Sequence, residues 1–229
     1  MAPRKVRYVK ERPPAPSVES AWRLFISVPL PPAVTTLVGE LVRDLGAEGW
    51  PVRWVAPDTA HITLQFIGDV PPERAEFLRL ALPPVVARHD AFNLRTADLG
   101  VFPNQRRPRV IWLGLYGPAH RLASLRDDIS DLLRQFEFPL DDKEFHPHVT
   151  LGRVRDVRDG SGRDLPAAIQ RRFAEVAASG QVTAKAPIPV PVQEVHLVRS
   201  FLGREGARHE PIARCPLGAP VAKPRRDDE

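Results

Sequence analysis

Two short stretches, His61-Ile62-Thr63-Leu64 and His148-Val149-Thr150-Leu151, spell nearly the same pattern. Each alternates a polar residue with an apolar one. On a strand, alternation sends His and Thr to one face and Ile or Val and Leu to the other. The apolar face can join a core, while the polar face presents an imidazole beside a hydroxyl. Two such strands facing each other supply two imidazoles and two hydroxyls to one cleft. That is equipment for acid–base chemistry on a phosphate ester without a metal. A single H-x-T-x tract is a weak signal, and two copies on plausible strands are a far stronger one.

Working outward, each copy sits in a similar unit of strands and a helix. Arg23 to Val28 reads as a strand, and Pro31-Pro32 opens a helix at its first turn, where proline is tolerated. Val34, Leu37, Val38, Leu41, Val42 and Leu45 recur through it at helical spacing. Val52-Arg53-Trp54-Val55 is a short strand and Pro57-Asp58 a turn before the first motif strand, His61 to Ile67. Pro71-Pro72 starts a second helix with Ala75, Leu78, Leu82 and Val86 inward, which Pro83-Pro84 is expected to break or kink. Strands are expected near Phe92–Leu99 and Val110–Leu115, with a loop from Gly100 to Pro108 carrying Asn104, Arg106 and Arg107. A third helix runs from about Pro118 to Phe136, the second motif strand lies within His146 to Val154, and a fourth helix spans Leu165 to Ala178. Val190–Phe201 and Arg208–Pro211 read as a closing strand pair, joined by the turn Gly203-Arg204-Glu205-Gly206.

Many strand-to-strand links are too short for a helical crossover, so the pairing is antiparallel and the class α+β. The expected architecture is two pseudo-symmetric lobes, each a mainly antiparallel sheet with outer helices, enclosing a central cleft with one motif in each wall. Residues 1–20 read as a flexible, basic, proline-rich arm, 21–215 as the bilobal domain, and 216–229 as a polar tail.

Composition narrows the class. A hydrophobic fraction of 43% excludes wholesale disorder. The single Cys215 has no internal disulfide partner, which fits a cytoplasmic location. No apolar run of about 18 residues points to a spanning helix, and the N-terminal residues lack the apolar segment of a signal peptide. The net charge of +5 is compatible with a polyanionic partner without demonstrating one, because acids are also plentiful.

The blocks around the motifs resemble a known family, the 2H phosphoesterases, and within it the RNA 2′,3′-cyclic phosphodiesterases also called 2′-5′ RNA ligases. The resemblance rests on Arg23-Leu24-Phe25-Ile26 and Pro29-Leu30-Pro31, on Val52 to Val55 leading into His61 to Gly68, on Gly100-Val101-Phe102-Pro103 with Pro108 to Gly114, on Phe145 to Arg153, and on Val195 to Ser200. These blocks run through residues 22–217 in the family's order. The resemblance implies a substrate RNA ending in a 2′,3′-cyclic phosphate, tRNA fragments among the candidates, opened to a 2′-phosphate. No cofactor, no metal and no membrane association are expected, and the protein is expected to be a monomer.

By motif position, His61 resembles the family's proton donor and His148 its proton acceptor. Thr63 and Thr150 are expected to donate hydrogen bonds to non-bridging phosphate oxygens. Arg153 lies three residues beyond Thr150, so a regular strand turns it to the other face, and a bulge or strand end is needed to bring it to phosphate. Phe25 and Trp54 are candidates for holding the terminal base, with core packing as the competing role. His209 stands where the family usually has an aromatic residue, often Tyr. The segment Asp156 to Leu165 is an insert that reads either as a lid or as a plain loop.

Other readings share these residues. His146 and His148 form an H-x-H pair of the kind seen at zinc sites, yet such sites need three or four ligands. Asp141, Asp142 and Glu144 lack the usual spacing, so His146 is expected to shape the turn before Pro147. The paired motifs also serve enzymes acting on small cyclic nucleotides, and an RNA-binding module of the same fold needs no chemistry at all.

Overall fold

The structure, a computed structural model, describes residues 21–140, 144–155, 164–180, 187–203 and 206–218. Its described elements are β1 (Trp22–Pro29), α1 (Pro32–Gly46), β2 (Val52–Trp54), β3 (His61–Val70), α2 (Pro72–Val86), β4 (Phe92–Phe102), β5 (Val110–Tyr116), α3 (Ala119–Gln135), β6 (His148–Val154), α4 (Leu165–Ser179), β7 (Pro189–Val192), β8 (Glu194–Gly203) and β9 (Gly206–Pro216). A 3₁₀ turn, Pro57–Thr59, precedes β3.

The strands form one sheet in the order β7-β4-β5-β6-β3-β1-β8-β9, with β2 also on β6, and the strand pairs are antiparallel. The expected α+β class with antiparallel sheet and outer helices holds. The two expected sheets are continuous, but narrowly: β3 and β6 meet at a single residue pair, Ile62 with Val149. Outward from that pair, one half runs β3-β1-β8-β9 and the other β6-β5-β4-β7. In each, the motif strand lies beside the strand that precedes it through a helix. The next strand out, β8 or β4, arrives by the chain crossing from the other half. The helices exchange too: α1 packs on β2 and β6, while α3 packs on β3 and α2.

The apolar spacings explain which faces are buried. Val34, Leu37, Val38, Leu41 and Leu45 line the inner side of α1, and Leu122, Leu125, Ile129 and Leu133 that of α3. In β1, Leu24 through Val28 are all buried, as suits a central strand covered on both faces.

Three further expectations are corrected. The Pro83-Pro84 pair does not break α2, which continues to Val86. Both prolines lie in the last turn, where Ala87 N–H still reaches the Pro83 carbonyl. A proline costs a helix interior about 3 kcal/mol. Leu82 and Val86 on either side are fully buried, each contributing roughly 1.5–3 kcal/mol, which is enough to hold the turn. The expected strand Val190–Phe201 is two strands in different halves, β7 beside β4 and β8 beside β1. Gln193 divides them, and the buried phase slips there from Val190/Val192 to Val195/Leu197. The final strand, Gly206–Pro216, is longer than expected, and Gly203 pairs with Gly206 across a turn whose Arg204 and Glu205 lie outside the described residues. The arm 1–20, residues 156–163 of the insert and residues 219–229 of the tail also lie outside them, while Pro216 completes β9.

Where β3 parts from β6, β2 takes up the vacated edge, pairing Trp54 with Gly152. A Cβ on Gly152 would come within 2.5 Å of Val52 Cγ1 and 2.8 Å of the Trp54 ring. Only glycine lets β2 lie this close. Gly152→Ala is expected to destabilise the protein by about 1–3 kcal/mol through overpacking, measured by urea denaturation. An unchanged midpoint would show that β2 is not seated this tightly.

Candidate active site

Antiparallel pairing at Ile62 and Val149 fixes the neighbours on each side. His61 is set toward Thr150, and Thr63 toward His148, so the four motif residues alternate around one backbone contact. Ile62 and Val149 are fully buried beneath them. The four side chains open into two adjoining cavities. The larger, about 640 Å³, lies on the His61 side. The other, about 610 Å³, lies on the His148 side. Thr63, Phe66, Thr150 and Arg153 line both, and so mark the junction.

Arg153 reaches that junction because β6 carries a bulge. Ile111 faces Gly152 and Trp112 faces Thr150, leaving Leu151 as an extra residue. The extra residue shifts the alternation by one, so Thr150 and Arg153 share a face. The first motif has the same device: Ile26 faces Gln65 and Ser27 faces Thr63, leaving Leu64 extra. Phe66 is therefore the counterpart of Arg153. Neither Phe66 nor this repeat was singled out from the sequence, although the shared spacing of three residues from each Thr was visible there.

Each imidazole is braced identically from behind. His61 Nδ1 lies 2.7 Å from the Thr59 carbonyl, and His148 Nδ1 lies 2.7 Å from the His146 carbonyl. A carbonyl oxygen only accepts, so Nδ1–H donates in both rings and Nε2 is left for the cleft. Aromatic rings fix the orientations. Phe25 stacks on His61 at 4.6 Å between centroids, and His209 meets His61 edge-on at 5.4 Å. Phe102 meets His148 edge-on at 5.0 Å, with Trp112 at 6.3 Å.

The other sequence candidates take these places. Phe25 is only 5% exposed, with one face given to His61, although it still lines the larger cavity. Trp54 is half-buried, packed over Gly152 and near Gly46, and also lines that cavity. His209 sits against both Phe25 and His61. His146 supplies the carbonyl behind His148, and its ring is 3.5 Å from Glu144. Asp141 and Asp142 lie outside the described residues, and among those described there is no group of three His, Cys, Asp or Glu side chains placed to hold a metal. No described helix is long and apolar enough to cross a membrane. Arg53, not singled out from the sequence, also lines the larger cavity. The strict alternation in Val52-Arg53-Trp54 was the signal, since Val52 and Trp54 face the core.

Electrostatics favour the neutral imidazoles. Burial pushes the His61 pKa down to about 4, against the hydrogen bond to Thr59, and the charges of His209, His148 and Arg153 add to the depression. His148 is also lowered, first by burial and then by the charges of Arg153 and His146, against its own carbonyl hydrogen bond.

A mainly antiparallel α+β fold with two H-x-T tracts around one cleft is the class already met in the motif blocks. The chain belongs to the 2′-5′ RNA ligase superfamily, whose family model matches residues 30–203. Among curated relatives, the RNA 2′,3′-cyclic phosphodiesterase of Aeropyrum pernix is 33% identical over 175 residues, covering 74% of this chain and 90% of its own length. Among solved structures, TT0787 of Thermus thermophilus is 27% identical with a TM-score of 0.63, covering 86% of this chain and 98% of its own. E. coli LigT complexed with 3′-AMP is 25% identical with a TM-score of 0.59, again over 86% of this chain and 98% of its own.

In an NMR titration, His61 is expected to stay neutral until the pH falls to about 4, and His148 to titrate below its ordinary range. Arg153→Met removes a positive charge felt by both rings and is expected to raise both midpoints. A His61 midpoint at about 6 or above would contradict this degree of burial.

Proposed function

We propose that this chain is an RNA 2′,3′-cyclic phosphodiesterase that opens terminal cyclic phosphates to 2′-phosphates by two-histidine acid–base catalysis, without a metal. One observation carries this reading. Two imidazoles, each held by a carbonyl two residues upstream, face a cleft whose junction is lined by Thr63, Thr150 and Arg153. The names of the curated relatives support the same reaction.

The chemistry follows from in-line displacement at phosphorus. His148 Nε2 takes a proton from water as the water oxygen bonds to phosphorus. The P–O3′ bond breaks on the opposite side, and His61 delivers a proton to O3′. Atoms and charge balance: water adds across one P–O bond, leaving a 2′-phosphate and a 3′-hydroxyl. A 5′-hydroxyl attacking in place of water, with the same proton roles, gives a 2′-5′ linkage and a 3′-hydroxyl. Cleavage of that linkage by the 3′-hydroxyl is the reverse step and exchanges the roles. The Thr63 and Thr150 hydroxyls and the Arg153 guanidinium are aimed at the non-bridging oxygens, where charge builds.

Burial suits His61 to donation. An imidazole held low is, once charged, a stronger acid toward the leaving oxygen. The ring takes this proton from solvent as substrate binds: an anionic phosphate beside it favours the charged form and opposes the effect of burial.

His61→Ala and His148→Ala are each expected to lower hydrolysis by about 10²–10⁴-fold on an RNA ending in a 2′,3′-cyclic phosphate, with thermal stability retained. Retained turnover in either variant would remove that imidazole from the mechanism. A chelator should leave the wild-type rate intact, and the product should carry a 2′-phosphate. A 3′-phosphate product would reverse the leaving group.

The pH profile follows from the same groups. The base must be neutral and the acid charged, so kcat/KM is lost to protonation of the base at low pH and to deprotonation of the acid at high pH. Both imidazoles of the free protein lie below 6.5, so the maximum of kcat/KM is expected on the acid side of 6.5, with a decline above it.

A further inference from the structure

Arg53 on β2 and Arg153 on β6 are paired across the ladder as direct neighbours. Like charges in that position repel and cost stability. Both side chains line the larger cavity, and no Asp or Glu is among its described lining residues. Neither arginine has an acidic partner among the described residues. The cavity's third arginine differs: Arg23 is 3.5 Å from Asp69 and lies over the Phe66 ring. Arg53 is exposed, held on a strand, and uncompensated.

Its position distinguishes it from Arg153. Arg153 lines both cavities and so stands at the reacting phosphate. Arg53 lines only the cavity on the His61 side. In-line geometry places water on the His148 side and the leaving O3′, with the whole nucleoside that carries it, on the His61 side. The strand continues from that nucleoside through its 5′ oxygen. The next phosphate therefore enters the cavity that Arg53 lines.

We infer that Arg53 binds the phosphodiester immediately 5′ of the terminal nucleotide, and so makes the site prefer an RNA strand to a cyclic mononucleotide. This rests on the reading of the cleft as an RNA-end hydrolase and names the feature of the substrate that it selects. One cyclic phosphate carries a single negative charge, which leaves the second guanidinium unmatched. A second phosphate matches it through charge-assisted hydrogen bonds.

The test compares a 2′,3′-cyclic mononucleotide lacking a 5′-phosphate with a trinucleotide ending in the same group. Arg53→Gln is expected to lower kcat/KM for the trinucleotide by about 10–100-fold, and for the mononucleotide by less than about threefold. Arg53→Lys, which keeps the charge without the fork, should recover part of the loss. In the wild-type protein, inhibition by the 2′-phosphorylated trinucleotide should weaken with salt more steeply than inhibition by the mononucleotide product. Each phosphate contact adds about 0.7 to the logarithmic slope, and Arg53→Gln should remove about that much. An equal fall on both substrates would place Arg53 at the reacting phosphate. No fall on either, or equal salt slopes in the wild type, would make it a solvated charge. Each of these results overturns the inference and leaves the hydrolase reading standing. Failure of the wild type to turn over either substrate would instead overturn that reading.

Discussion

One backbone pair, Ile62 with Val149, joins the two halves of the sheet, and the site is built around it. Because the pairing is antiparallel, the residues flanking it alternate: imidazole toward hydroxyl, hydroxyl toward imidazole. Because β3 and β6 part beyond it, a cleft opens where a continuous ladder would have closed. A ladder with more pairs would bring the strands together and close the cleft. A sheet without this pair would let the two imidazoles drift. Strand pairing thus fixes the placement of these four side chains without needing long side chains to be ordered one by one, which in the proposed mechanism lowers the entropy lost on the way to reaction.

The two halves repeat each other in the bracing of each imidazole and in the bulge after each Thr, and the repeat is broken at the residue each bulge turns inward. Each imidazole is braced by the carbonyl two residues upstream, and each motif Thr is followed by an extra leucine that turns the third residue inward. At that inward position one half carries Phe66 and the other Arg153. Both residues line the junction, and a second cation in place of Phe66 would repel Arg153. Phe66 instead supports Arg23, whose charge is matched by Asp69. The rings behind the imidazoles differ too, with Phe25 stacked on His61 and Phe102 only edge-on to His148. Such differences in burial give the two chemically identical groups distinct proton affinities.

The four motif residues and the antiparallel α+β class were legible because alternation and helical spacing are local signals. What escaped the sequence depends on register and connection. A bulge is one unpaired residue, and nothing in Thr150-Leu151-Gly152-Arg153 alone says which face Arg153 takes. The division of β7 from β8 left a trace, the slip of phase at Gln193, but its meaning is a crossing between halves, which no short window contains. Pro83-Pro84 misled because the local preference against proline was outweighed by burial of Leu82 and Val86. Arg53 was written plainly in an alternating strand. It gained significance only when β2 was seen to lie beside β6, across from Arg153.

The cleft combines two opposed features: cations along one wall and imidazoles driven toward neutrality. Both suit the anionic substrate proposed above. Arg153 and Arg53 repel each other, and burial, with smaller contributions from His209, His148 and Arg153, lowers the His61 pKa. In the proposed mechanism the bound phosphate reverses each effect with the same negative charge, screening the guanidiniums and favouring the charged imidazole. On the same proposal the free protein holds its acid, His61, uncharged, and arrival of substrate creates the protonation state that the reaction uses. The repulsion between the guanidiniums is relieved on binding, and the relief is greatest for a ligand whose charges coincide with both arginines.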